Sequence, residues 1–241
     1  MKINCDLGEG LGSWQMGCDT KIMPYIDQAN IACGFHASDP LTMQKTIALA
    51  VKHNVSIGAH PGYPDLVGFG RRSMAMNTDE LKATVQYQIG ALNSLCQAQN
   101  TQVTYVKPHG AMYNDMMKDD GVFQAICVAI SELEAGLTLM IQATDNNQRY
   151  AQIARGYGVA LWFEAFADRN YQDNGLLVPR TNKNAVITDP YVVIKRIETI
   201  VKHGHILSEN NIKLMMGIDT LCVHGDNENA VELIKAITSA V

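Results

Sequence analysis

Long apolar runs are missing from this chain. Its most apolar stretches, such as residues 125–130, fall far short of the roughly 18 residues a membrane-crossing helix needs. An excess of positive charge is missing too. The 19 Lys and Arg stand against 24 Asp and Glu, a net charge of -5, which argues against nucleic acid or anionic lipid as a partner. Paired cysteines are absent: the six, at positions 5, 18, 33, 96, 127 and 222, form no CxxC, so neither a disulfide framework nor a zinc knuckle is expected. The N-terminus runs straight into a strand-like pattern without the basic-then-apolar order of a signal peptide, and the expected location is cytoplasmic. There is no GxxxxGK[ST] loop, no GxGxxG after a strand and no GxSxG elbow. Nucleotide binding by those loops and a serine nucleophile are therefore unsupported, and Cys33 or Cys222 would need exposure to act as nucleophiles. No linker, low-complexity tract or fixed-period repeat divides the 241 residues, so one domain over 1–241 is expected.

What is present is enough apolar residue, 47% against 18% charged, to bury a large core. Short apolar runs at 3–7, 29–34, 55–60, 103–107, 137–142, 160–166 and 220–224 alternate with longer segments of helical period. Helix starts are marked by Ser38-Asp39-Pro40, by the capping-box spacing Asn77 to Glu80, and by Asp119, Asp145-Asn146, Asp189-Pro190 and Asp226-Asn227. The last of these heads a helix expected over 230–237. Segments 168–187 and 204–217 read as loops or small hairpins. Strand then helix, repeated, requires a parallel sheet, because parallel neighbours need a long crossover. The choice is between an open doubly wound sheet and a barrel. A barrel gathers chemistry from the C-terminal ends of many strands, and the polar residues of this chain sit at those ends. A seven-stranded parallel (β/α) barrel is expected.

The first expected strand ends in Asp6 and Glu9, the second in His36, the third in His60, the fourth in Lys107 and His109. The sixth ends in Glu164, Asp168 and Arg169, and the last in His224 and Asp226. Four of the seven histidines take this one position: His60, His109 and His224 are followed at once by a proline or glycine, and Gly34 lies two residues before His36, so the chain can leave the strand sharply. The others, His53, His203 and His205, fall at helix ends and read as structural. Asp6 and Glu9 suit acid/base work, and Asp6, His36 and His60 would make an open divalent-metal site if their strands converge. Lys107 in an apolar strand implies a polar cavity or an anion facing its ammonium. Arg71 and Arg72, in a Gly- and Pro-rich loop, suit a mobile cover that clamps an anion. Replacing such rim residues should leave stability almost unchanged.

Seven blocks in order carry a resemblance: Asn4-Cys5-Asp6-Leu7-Gly8-Glu9, Ala29 to His36, Gly58 to Asp65, Gly68 to Arg72, Val106 to Ala111, Glu164 to Arg169, and Cys222-Val223-His224-Gly225-Asp226. Together they resemble the motif series of the LamB/YcsF family over nearly the whole chain. The resemblance implies a (β/α) barrel related to the glycoside hydrolase/deacetylase superfamily. It also implies a hydrolase acting on a cyclic amide: ATP-dependent opening of 5-oxo-L-proline to L-glutamate by a multi-subunit 5-oxoprolinase, with companion subunits B and C. A lactam is a poor electrophile, and phosphorylation of its oxygen makes a leaving group, so ATP is a co-substrate used through the partners. On this reading Asp6 or Glu9, with His60, acts as general base, and His36 and His109 hold or protonate the departing nitrogen. Lys107, helped by Arg71 or Arg72, binds a carboxylate or oxyanion, and Glu164, Asp168, Arg169, His224 and Asp226 contact substrate. Two alternatives are a metal-dependent, deacetylase-like amidohydrolase that needs no ATP and a non-catalytic subunit that holds substrate.

Overall fold

The structure is a computed structural model that describes residues 1–14, 16–133, 136–223, 231 and 234–235. Seven parallel strands close into a barrel. They are β1 (Lys2–Leu7), β2 (Gln28–Ala32), β3 (Ser56–His60), β4 (Tyr105–Val106), β5 (Thr138–Gln142), β6 (Ala160–Phe166) and, after a small hairpin of β7 (His205–Leu207) and β8 (Lys213–Met215), β9 (Thr220–Cys222). The first strand pairs with β2 on one side and β9 on the other, Lys2 facing Thr220, which completes the ring. The seven-stranded expectation holds, and the hairpin falls inside the segment 204–217 expected to depart from the regular units.

The helices are α1 (Asp19–Ile22), followed by a 3-10 turn at Met23–Tyr25, then α2 (Pro40–Lys52), α3 (Thr78–Gln97), α4 (Gly110–Met116), α5 (Asp120–Ser131), α6 (Asn147–Gly156) and α7 (Pro190–His203). Asp39 caps α2, accepting from the amides of Leu41 and Thr42. Asn77 and Glu80 form the reciprocal capping box of α3, while Asp119 and Asp189 cap α5 and α7. The short helices α1 and α4 were not expected. Of the helix expected over 230–237, residues 231, 234 and 235 are described and are helical, while the site residues His224 and Asp226 lie outside the described residues.

Alternation along the strands divides the side chains. Ile3, Cys5, Leu7, Ile31, Ile57, Ala59, Val106, Leu139, Ile141, Ala165 and Leu221 are buried in the apolar core between strands and helices. The residues in between form a polar interior. There Asn4 donates to Thr220 Oγ1 (3.0 Å), Asn30 donates to Asn4 Oδ1 (2.8 Å), and Tyr105 donates to Asn30 Oδ1 (2.7 Å). Buried polar groups persist only when paired, and here they pair with one another across strands. Gly58 makes room for this layer, because a Cβ at that position would run into the Tyr105 ring.

Candidate active site at the C-terminal end of the barrel

The interior row continues upward from the Asn4, Asn30 and Tyr105 layer to the C-terminal ends of the strands, where it becomes ionisable. Lys107 follows β4 directly, its amide bonded to Ala59 O of β3 (2.8 Å), and its side chain is 2% exposed. Its ammonium donates to Asp6 Oδ1 (2.8 Å) and Asn4 Oδ1 (3.2 Å), and it lies 2.8 Å from Glu164 Oε1 and 3.2 Å from Cys222 Sγ. Burial works against the charged ammonium, but Asp6, Cys222 and Glu164 together outweigh it and hold Lys107 well above the usual lysine range. It is therefore a fixed positive charge. Asn30 also donates to Asp6 Oδ1 (2.7 Å), so this carboxylate oxygen is engaged twice.

Around Asp6 stand three of the four strand-end histidines and Glu9. His60 lies with Nε2 at 3.4 Å from Asp6 Oδ2 and 2.9 Å from His109 Nδ1. Glu9 Oε1 is 3.4 Å from His36 Nε2 and 3.5 Å from His109 Nδ1. His36 and His109 stack face to face, ring centroids 3.6 Å apart and planes 4° from parallel. Burial, then His60, pushes His36 down from the ordinary histidine range, and burial, then His36 and His60, does the same to His109; both are neutral at neutral pH. The donor atoms of Glu9, His36, His60 and His109 all lie within 4.8 Å of one another. The metal-binding trio expected from sequence was Asp6, His36 and His60; in this group Glu9 stands in place of Asp6, and His109 is added.

The loop after β3 roofs the cluster. Phe69 O contacts His109 Nε2 at 2.9 Å, and the Phe69 ring meets His36 and His109 edge to face. Gly70 O accepts from Ala111 N (2.8 Å). This close approach requires glycine at 110, where φ is +56° and a Cβ would sit 2.5 Å from Gly70 O. Asp65 staples the loop: it accepts from Gly68 N (3.0 Å) and from the Arg72 guanidinium. The loop expected as a mobile cover is thus tied down on the histidines, and Arg72, expected to clamp an anion, is spent on that staple.

A cavity of about 460 Å³ opens above the cluster. Asp6, Glu9, His60, Lys107, His109, Arg71 and Arg169 all line it, while His36, Arg72, Glu164 and Asp168 do not. Arg71 lies 5.0 Å from the Phe69 ring centroid. Arg169 is buried and donates to Ala185 O (3.1 Å) and Val178 O (2.8 Å); burial, then the neighbouring Arg180, pulls it down to about 10. Glu164, expected to meet substrate, is instead fully buried between Lys107 and Tyr113, whose hydroxyl donates to Glu164 Oε2 (2.8 Å). Cys33 and Cys222 are not poised as nucleophiles: burial pushes Cys33 up to about 12 and Cys222 well above its ordinary range. Sequence reasoning passed over Asn30, Tyr105 and Tyr113, which orient Asp6 and Glu164. For Asn30 and Tyr105 the available signal was a polar residue at an inward-facing position of an apolar strand; Tyr113, in α4, carried none.

Known proteins resemble this chain over its whole length. The A subunit of 5-oxoprolinase from Vibrio parahaemolyticus serotype O3:K6 is 51% identical over 241 residues, which cover all of this chain and 95% of that one. Its namesake from Pseudomonas fluorescens is 50% identical over 239 residues, covering 99% of this chain and 96% of its own. Among solved structures, the lactam utilization protein of Thermus thermophilus superimposes with a TM-score of 0.90 at 38% identity, covering all of this chain and 95% of that one. The LamB/YcsF family model matches residues 1–241 from end to end, and the chain belongs to the LamB/YcsF family.

Proposed function

We propose that this chain is the ring-opening subunit of an ATP-dependent 5-oxoprolinase, converting 5-oxo-L-proline to L-glutamate together with companion subunits B and C. The observation that carries the reading is the floor of the cavity, where two carboxylates, two imidazoles and a locked ammonium meet. The names borne by relatives at about half identity point the same way. A cavity of about 460 Å³ suits a small molecule.

The chemistry runs in two hydrolytic steps. The partners transfer the terminal phosphoryl group of ATP to the lactam oxygen, since this chain carries no phosphate-binding loop. In the first step water adds to the activated carbon and gives its proton to a carboxylate of the Asp6 and Glu9 pair. Collapse of the adduct breaks the carbon–nitrogen bond, the nitrogen taking both that proton and the proton of the added hydroxyl, and leaves an acyl phosphate and a free amine. A second water releases phosphate and glutamate. Lys107 pairs with Asp6 (2.8 Å) and supplies positive charge where an oxyanion forms. His60 and His109 turn their inner nitrogens toward each other at the cavity floor, 2.9 Å apart, while their outer ones are engaged by the carbonyls of Lys107 and Phe69. The cations Arg71 and Arg169 at the cavity wall suit the substrate carboxylate or the phosphoryl group.

A labile phosphorylated intermediate is best passed directly, so the cavity mouth should dock on the partner that makes it. The tip of the roofing loop offers apolar surface there: Val67 is 93% exposed and Leu66 48%. The test is to measure ADP and glutamate released by the purified chain with and without subunits B and C. Neither product is expected from the chain alone, and both from the mixture. Equal amounts of both made by the isolated chain would overturn the division of labour.

A further inference from the structure

Three contacts join the His60 and His109 rings to each other and to the backbone. His60 Nδ1 lies 2.7 Å from Lys107 O, His60 Nε2 lies 2.9 Å from His109 Nδ1, and His109 Nε2 lies 2.9 Å from Phe69 O. Each needs a proton to be a hydrogen bond, because carbonyl oxygens and bare ring nitrogens only accept, yet each ring in a tautomer that can ligate carries a single N–H. The carbonyls claim both. His60 Nε2 and His109 Nδ1 are then left facing each other with bare lone pairs, an arrangement that is unfavourable unless a cation lies between them.

We propose that His60 Nε2, His109 Nδ1 and Glu9 Oε1 bind one divalent transition-metal ion of the zinc type. With metal–ligand bonds of about 2.0 to 2.1 Å, two ligands at a right angle lie about 2.9 Å apart and at a tetrahedral angle about 3.4 Å. The observed separations are 2.9 Å between the two nitrogens and 3.5 Å from His109 Nδ1 to Glu9 Oε1. Each histidine donates its other ring N–H to a backbone carbonyl, the usual way of fixing the tautomer of a metal-ligating imidazole. His36 is not a ligand. Its ring is parallel to that of His109 at 3.6 Å, and one ion cannot lie in both planes. It is 1% exposed, neither ring nitrogen has a hydrogen-bond partner, and Nε2 is aimed at Glu9, so it positions the carboxylate. The inference stands on ring geometry and is independent of the substrate proposed above.

The experiment uses the whole chain, stripped with a chelator, desalted, reloaded in turn with Zn²⁺, Co²⁺ and Mn²⁺, and passed through gel filtration. Bound metal is read by elemental mass spectrometry and stability by thermal melting. The wild type is expected to keep about one equivalent of Zn²⁺ or Co²⁺ and to melt at a higher temperature loaded than stripped. His60→Ala and His109→Ala should bind at least about tenfold more weakly, while His36→Phe, which preserves the stack, should keep the ion. The wild-type melt needs no variant to fold. No metal retained by the wild type would overturn the site, as would equal retention by His60→Ala and His109→Ala. Loss in His36→Phe equal to theirs would overturn the ligand set. A shared proton seen between the two rings by nitrogen NMR, in protein that takes up no metal, would put a proton where we place the ion.

Discussion

Lys107 faces Asp6 and Glu164 from inside the barrel, so it contributes to the fold as much as to the reaction. Lys107→Met leaves two buried carboxylates without their cation, and breaking such a pair by removing one partner costs about 3 to 5 kcal/mol. Urea unfolding should show that loss; a midpoint shift equivalent to under about 1 kcal/mol would mean the carboxylates find other partners. His60→Ala in the assembled enzyme should cut lactam turnover by about 100- to 10,000-fold, read as glutamate release at saturating ATP. Stability will not stay untouched, as the sequence suggested for rim residues, because His60 is 1% exposed and holds two contacts. The ionisable members of the site were legible from their place after apolar runs. Their depth was not, because the roof that covers them is built from a loop whose contacts span from Phe69 to His109. Nor were the orienting residues: Asn30 sits in a run that reads simply as strand, and Tyr113 in a helix with no side-chain cap to announce it.

Among the elements, β3 and the loop that follows it make the strictest demands. Gly58→Ala forces a methyl into the Tyr105 ring and should destabilise by about 1 to 3 kcal/mol. Combining it with Tyr105→Leu should recover part of that cost, so a double-mutant cycle that came out additive would show that the two residues do not meet. The roof depends on Asp65, whose carboxyl the Arg72 guanidinium holds down to about 2. An unfolded aspartate titrates near about 3.9. The pair's contribution is thus complete above that value and is lost as the pH falls through about 2. Amide exchange in residues 65–72 should stay slow down to about pH 4 in the wild type, whereas Asp65→Asn should exchange faster at neutral pH. Strand positions came through from apolar runs because parallel strands are buried on both faces. Ends fared worse: β4 was expected over 103–107 but spans only Tyr105–Val106, with single backbone bonds from Thr104 and Lys107 to β3 flanking it before the chain turns into α4.

At the scale of the molecule, closure depends on one short strand. The three residues of β9 pair with β1 through Thr220, Leu221 and Cys222, and the same three pair with Glu164, Ala165 and Phe166 of β6. A chain ended at residue 218 loses both ladders and exposes the edges of β1 and β6 together, so it should aggregate rather than melt cooperatively. A sharp, reversible thermal transition in that truncated chain would show that six strands suffice. The same closure has a cost in time. Asn4 of β1 donates to Thr220, 216 residues later in the chain. Ribosomes add about 5 to 20 residues per second, so the first strand waits roughly 10 to 40 seconds for its last neighbour to be synthesised. Throughout that interval the polar interior, and with it the bond network that orients Asp6, cannot be complete. Any cell that makes this protein must shield the open edge of β1 until β9 has been synthesised.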